Sequence, residues 1–318
     1  MNIKTLKIIF FGTPEFAAGI LAALIKNKFN VEAVVTQSDK KVGRRRKITF
    51  SPVKKMAIEN GVEVFQPENL RDSGLIGEIR KREADLFVVA AYGKILPREL
   101  LEIPKLGAIN VHASLLPKYR GASPVQCAIL AGEKETGVTL ILMNEKMDEG
   151  DILAQEKIKI SKDETAGKLQ KKLGKLGAKM ITKYIPGWIE GKIVPAPQNS
   201  EKVTYCKPIR RDDGKIDWNS AACEINRKWR AYHPWPGIFS LYKTKNQIKR
   251  LKLIEVKAVS NFESGEQPGK IIKYKKFIAV RAGKGLLILK RVQLEGKKEM
   301  DINEFVRGYN EFIGNDLM

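Results

Sequence analysis

Four stretches constrain the fold of this chain most: LKIIFFG (6–12), VEAVV (31–35), DLFVVAAYG (85–93) and GAINVH (107–112). Their apolar residues run on continuously instead of alternating with polar ones. A strand with one wet face alternates, whereas a strand covered on both faces does not. Helical patterns near Ser51–Glu59 and Leu75–Arg82 lie between them. Strands and helices in alternation, with both sheet faces covered, read as a doubly wound α/β fold around a parallel, Rossmann-like sheet. Such a sheet takes its ligand beyond the carboxyl ends of its strands.

The first strand-to-helix turn excludes the usual ligands of that architecture. FFGTPEF has one glycine where a dinucleotide fingerprint needs G-x-G-x-x-G, and no Walker A lysine motif occurs, so neither NAD nor ATP is expected. Thr13 is placed to cap the next helix, with Pro14 at its first position. Pro14-Glu15 interrupts the apolar N-terminus, which therefore reads as strand, turn and helix, not as a leader. No run of about 18 apolar residues is present, so no membrane span is expected. Cys127, Cys206 and Cys223 are odd in number, far apart and without a CxxC pair. That pattern argues against a disulfide framework and against a zinc site, and places the chain in a reducing cytoplasm.

At 318 residues two domains are expected. A helix from Asp163–Thr165 to about Ile185 carries Leu169, Leu173, Leu176 and Met180 on one side. Pro186, Gly187, Gly191, Pro195, Pro197 and Pro208 then end it. The expected organisation is a catalytic domain over 1–187, a linker over 188–207 and a second domain over 208–318. After a helix at Ala221–Ala231, the second domain alternates in short segments such as GKIIKYKKFIAVR and GLLILKRVQL. These predict antiparallel strands and a small β-barrel of OB-like kind. The net charge of +22 points to a polyanionic partner, nucleic acid first among them. Positive charge is denser in the second domain, where 23 Lys+Arg face 13 Asp+Glu over 111 residues.

Three polar residues fall where the sheet would present its ligand. Asn110 and His112 end a strand and, two apart, share one of its faces. Asp148 lies in the turn-rich NEKMDEGDIL, after the strand GVTLILM. An amide donor, an imidazole and a carboxylate suit acyl transfer: the amide meets a developing oxyanion, the imidazole moves protons, and the carboxylate orients the imidazole or a water. No Ser or Cys occupies a nucleophile elbow, so the attacking group is expected to belong to the substrate. Each residue alone has a plainer reading, as a strand cap, a packed histidine or a turn aspartate.

Together, N-x-H, SLLP-x-x-x-G (114–121) and MDEGD (147–151) resemble the signature of the 10-formyltetrahydrofolate-dependent formyltransferases. The resemblance implies that Asn110, His112 and Asp148 form the catalytic set. It implies that Ser114, Leu115, Leu116 and Pro117 lie along the folate, and that VVAAYGKILP (88–97), with Tyr92 and Gly93, helps wall the pterin pocket. It covers almost the whole chain. IIFFGTPEFAA, TQSDKKVGRRRK, SPVK, FQPENLR, ETGVT, KIDW and HPWPG follow the order of the branch that formylates methionyl initiator tRNA. The implied reaction is attack by the α-amine of esterified methionine on the formyl carbon of 10-formyltetrahydrofolate, a cosubstrate, with no metal, no membrane and no obligate protein partner. The implied state is a monomer.

Residues 40–47 (KKVGRRRK) hold six cations in eight positions. Lys41, Arg44, Arg45, Arg46 and Lys47 are read as a loop at the rim of the active site, engaging the tRNA acceptor end through phosphate contacts. Alternatives are a formyltransferase acting on a small amine, which would not need the basic loop and basic barrel, a folate hydrolase, and an RNA-binding module with an inactive α/β domain.

Overall fold

The computed structural model describes residues 3–42, 47–244, 247–262 and 265–318, with the main chain alone at 41, 42 and 47. The chain forms two compact units. The first comprises Met1–Pro124, Lys134–Ile160 and Leu169–Lys207; the second comprises Val125–Glu133, Ser161–Lys168 and Pro208–Met318.

In chain order, the elements up to Lys207 are β1 (Lys7–Gly12), α1 (Glu15–Lys26), β2 (Asn30–Val35), β3 (Lys40–Val42), β4 (Lys47–Thr49), α2 (Pro52–Glu59), β5 (Glu63–Phe65), α3 (Ser73–Lys81) and β6 (Leu86–Ala90). Then come α4 (Arg98–Leu101), β7 (Ala108–His112), β8 (Arg120–Gly121), α5 (Pro124–Leu130), β9 (Glu135–Leu142), β10 (Asp151–Lys159), α6 (Ala166–Ile189) and β11 (Tyr205–Cys206). Seven strands build one sheet in the order β10-β9-β7-β6-β1-β2-β5. Ile8, Ile9, Phe10 and Phe11 of β1 are all fully buried, so both faces of the sheet are covered. This is the physical cause of the continuous apolar runs.

The five strands from β7 to β5 are parallel. At the other edge β9 runs antiparallel to β7, and β10 antiparallel to β9. Residues 143–150, which join β9 to β10, are too few for the crossover a parallel pair requires, so the chain turns back as a hairpin. The sequence reading of a parallel sheet did not distinguish this edge.

Three local expectations are corrected. Thr13 does not cap α1; Pro14 is the N-cap, and the Thr13 hydroxyl donates to the Tyr92 carbonyl at 3.2 Å. Helix α6 does not stop at Pro186 but runs through it to Ile189. It ends where Gly191 takes φ 68° and the Lys192 N–H returns to the Gly187 carbonyl at 2.9 Å, a closure that glycine permits. Residues 40–47 read as a loop from sequence, but Lys40–Val42 pairs with Lys47–Thr49 as a two-stranded antiparallel ribbon.

The second unit contains α7 (Ala222–Tyr232), β12 (Ile238–Lys243), β13 (Ile248–Val259), β14 (Ile271–Tyr274), β15 (Phe277–Arg281), β16 (Leu286–Leu294), β17 (Met300–Asp301) and α8 (Ile302–Gly308). Its antiparallel sheet has the order β12-β13-β16-β15-β14, with β17 beside β16. Residues 314–318 close it. Leu241 and Met318 exchange main-chain hydrogen bonds on the β12 side, while Gly314 N donates to Ile271 O and Leu317 N to Gly269 O on the β14 side. Both free edges are therefore paired and the sheet becomes a barrel.

Candidate active site

The site is built on β7, the strand flanked by parallel β6 and antiparallel β9. Asn110 and His112, on the same face, are 9% and 6% exposed. Because β6 and β7 are adjacent and parallel, the segments that follow them, 91–97 and 113–121, leave the same edge of the sheet. Asp148 comes from the β9–β10 hairpin and folds back toward β7. Asn110 Nδ2 donates to Asp148 Oδ1 at 3.2 Å. His112 Nδ1 lies 3.5 Å from the same oxygen. Asp148 Oδ2 accepts from the Gly121 N–H at 2.8 Å. All three residues of the expected set thus meet in one cluster.

His112 Nε2 lies 3.0 Å from the Tyr119 carbonyl. A carbonyl only accepts, so Nε2 carries the hydrogen and Nδ1 is the atom turned toward Asp148. Asp148 (φ 55°) and Tyr119 (φ 62°) both adopt the left-handed conformation that residues with a side chain rarely visit. Strain of this kind persists only where the surroundings hold it. Gly121 has φ 110°, and a side chain there would collide with the Cys206 carbonyl oxygen.

The Ser114–Pro117 stretch is split by its contacts. Ser114 is fully buried, its hydroxyl donating to the Lys118 carbonyl at 2.7 Å, which closes the turn. Leu116 is buried too, its N–H donating to Thr139 Oγ1 at 3.1 Å and its carbonyl accepting from Gln155 Nε2 at 2.9 Å. Leu115 and Pro117 are half-buried. Leu115 packs where Gly137 leaves room on β9. Tyr92 is 2% exposed and sits in the apolar cluster with Phe11, Phe87 and Leu96. Its carbonyl accepts from Gln37 Nε2 at 2.8 Å. The phenol oxygen has no hydrogen-bond partner, and burial pushes its pKa up to about 12. Gly93 (φ 83°) is exposed beside it. Arg44, Arg45 and Arg46 lie outside the described residues. Lys41 and Lys47 take part in the β3–β4 ribbon through their main chain.

The root of that ribbon is tied down. Lys54 Nζ donates to Asp39 Oδ2 and to Gln66 Oε1, both at 2.6 Å, and Gln66 Nε2 donates to Asp39 Oδ1 at 3.0 Å. The bond from Lys54 holds the Asp39 carboxyl below its ordinary pKa.

Sequence reasoning missed the groups that brace the cluster. Residues 196–206 are stitched onto 117–122: Tyr119 N donates to Thr204 Oγ1 at 2.8 Å, Arg120 N to Thr204 O at 2.9 Å, and Tyr205–Cys206 pairs with Arg120–Gly121. Arg120, 5% exposed, directs Nη1 at Glu149 Oε1 (3.0 Å) and Nη2 at Gln198 Oε1 (2.9 Å). A guanidinium this deeply placed needs both partners, since stripping a partner from a buried charge costs about 3–5 kcal/mol. Among the described residues, no group of three His, Cys, Asp or Glu side chains is placed to hold a metal ion.

The chain matches two domain families, "Formyl transferase" over residues 6–185 and "Formyl transferase, C-terminal domain" over residues 208–310. It is 43% identical over 306 residues to the methionyl-tRNA formyltransferase of Caldanaerobacter subterraneus subsp. tengcongensis, covering 96% of this chain and 97% of that protein. It is 46% identical to that of Listeria monocytogenes over 303 residues, 95% of each chain. Among solved structures, WlaRD, a sugar 3N-formyl transferase crystallised with dTDP and 5-N-formyl-THF, superposes with a TM-score of 0.64 at 21% identity, covering 94% of this chain and 100% of that one. HypX from Aquifex aeolicus, in complex with tetrahydrofolic acid, gives 0.65 at 14% identity over 98% of this chain and 48% of its own. At these identities the two structures attest the fold alone. With both domain families matched in order and relatives above 40% identity over nearly its whole length, the chain belongs to the methionyl-tRNA formyltransferase family.

Proposed function

We propose that the protein moves the formyl group of 10-formyltetrahydrofolate onto the α-amine of methionine esterified to initiator tRNA, with Asn110, His112 and Asp148 carrying the chemistry. The observation that supports this assignment is the single cluster in which Asp148 Oδ1 faces both Asn110 Nδ2 and His112 Nδ1.

The folate is a substrate here. The residues suit it: segments 91–97 and 113–121 leave adjacent strands on one edge, with Gly93–Ile95 exposed and half-buried apolar surface at Leu115 and Pro117. The amine attacks the formyl carbon, the C–N10 bond breaks, and the proton lost by the amine ends on N10. Asn110 Nδ2 keeps a second N–H for the oxyanion of the tetrahedral intermediate, a contribution of roughly 10²–10³ in rate. With Nε2 committed to Tyr119, His112 Nδ1 is the ring atom that meets the reacting centre. Moving a proton there is worth roughly 10²–10⁴. Asp148, held by the Gly121 N–H, offers Oδ1 as the negative partner while the proton is in transit.

Lys41, Arg44, Arg45, Arg46 and Lys47 engage the tRNA, and the basic barrel meets its backbone. The protein works as a monomer in the cytoplasm; no described helix is long and apolar enough to cross a membrane. Alanine at Asn110, His112 or Asp148 should each lower kcat by about 10² or more with folding preserved. Near-full turnover by any of the three variants removes that residue from the chemistry.

A further inference from the structure

Gln198 lies in the Pro-rich stretch between the two matched domains, and nothing in its local sequence marks it. Its carboxamide is nonetheless fully employed at the site. Nε2 donates to the Asp148 carbonyl and to the Gly150 carbonyl, both at 2.8 Å. Oε1 accepts from Arg120 Nε at 3.1 Å and from Arg120 Nη2 at 2.9 Å. The orientation of the amide is fixed by its neighbours: a guanidinium only donates and a carbonyl only accepts, so the group cannot be flipped.

The same Arg120 is followed by Gly121, whose N–H holds Asp148 Oδ2 at 2.8 Å. Residue 148 is therefore gripped twice, through its main-chain oxygen by Gln198 and through one carboxylate oxygen by Gly121. The other oxygen is left facing Asn110 and His112. The grip matters because Asp148 stands at φ 55°, a conformation that returns to the common regions unless something holds it. Gln198 itself has little freedom. Two residues before it, Ala196 exchanges both main-chain bonds with Ile152, at 2.8 and 2.9 Å. Farther along, Tyr205–Cys206 pairs with Arg120–Gly121.

We propose that Gln198 is a positioning residue for formyl transfer: its carboxamide holds the Asp148 loop in the conformation that turns the carboxylate onto His112 and Asn110. This rests on the reading that Asp148 takes part in the chemistry. Gln198 bonds to Arg120, Asp148 and Gly150, and its effect on the chemistry runs through Asp148.

Gln198→Glu tests it, because glutamate still accepts from Arg120 but cannot donate to the two carbonyls. Gln198→Asn, which keeps an amide but is one methylene too short to hold Arg120 and both carbonyls together, is the second variant should the first not fold. In the whole protein, kcat should fall about 10- to 100-fold, as misplacement of a reacting group does, while KM for tRNA and for 10-formyltetrahydrofolate stays within about twofold. The same change made in an Asp148→Asn background should cost less than about twofold more, since the route through the carboxylate is already cut. Wild-type kcat in Gln198→Glu, or an equal further loss in the Asp148→Asn background, overturns the proposal and leaves the role of Asp148 standing. Wild-type turnover by Asp148→Asn alone overturns both.

Discussion

At the scale of single residues, buried polar atoms are spent in two different ways around this site. Asn110, His112 and Asp148 keep an atom turned toward a common point, whereas Ser114 and Thr139 close their hydrogen bonds within the protein. Tyr92 does neither, since its phenol is buried without a partner. Tyr92→Phe should therefore leave KM for the folate unchanged and should not weaken the fold at neutral pH. It should also remove a pH dependence. With the folded pKa raised to about 12 from 10.0, the neutral phenol leaves stability level below pH 10, and stability falls as pH rises from 10 toward 12 because the unfolded chain ionises first. Thermal unfolding from pH 9 to 12 should show a smaller alkaline loss in Tyr92→Phe than in the parent; equal losses would mean the phenol is not the group responsible. Asn110 and His112 were legible as a pair because a two-residue spacing on a strand fixes a common face, whereas Asp148 was joined to them through the motif resemblance. Gln198 was not. A glutamine in a Pro-rich stretch looks like surface until the fold lays residues 196–206 along 117–122.

At the scale of elements, the apolar runs foretold β1, β2, β6 and β7 because burial on both faces leaves a direct imprint on sequence. The antiparallel edge left none, since β9 is nearly as buried as β7 and direction is set by the short connection 143–150. Pro186 misled for a related reason: near a helix end a missing N–H costs a single hydrogen bond, and the stop is set by Gly191 instead. The basic ribbon carries its own prediction. Its root is clamped by Lys54, Asp39 and Gln66. Replacing Arg44, Arg45 and Arg46 together by alanine should raise KM for tRNA and leave KM for the folate in place. For every phosphate that no longer meets a cation, the dependence of log K on log salt should flatten by about one unit or somewhat less. Identical slopes for the parent and the triple variant would place the tRNA elsewhere, with the barrel as the remaining surface.

At the scale of the whole molecule, a doubly wound unit and a closed barrel are joined in one chain of net charge +22, and the two matched domain families fall on them in order. A small amine substrate gives no reason for such charge, nor for its higher density after residue 208; a polyanion does. The most direct test supplies the purified protein with charged methionyl initiator tRNA and 10-formyltetrahydrofolate, and follows both products at once. Formyl-methionyl-tRNA and tetrahydrofolate should form in equal amounts, with the rate falling about 10² or more in Asn110→Ala. Tetrahydrofolate released without formylated tRNA, or no product at all, would contradict formyl transfer to the tRNA.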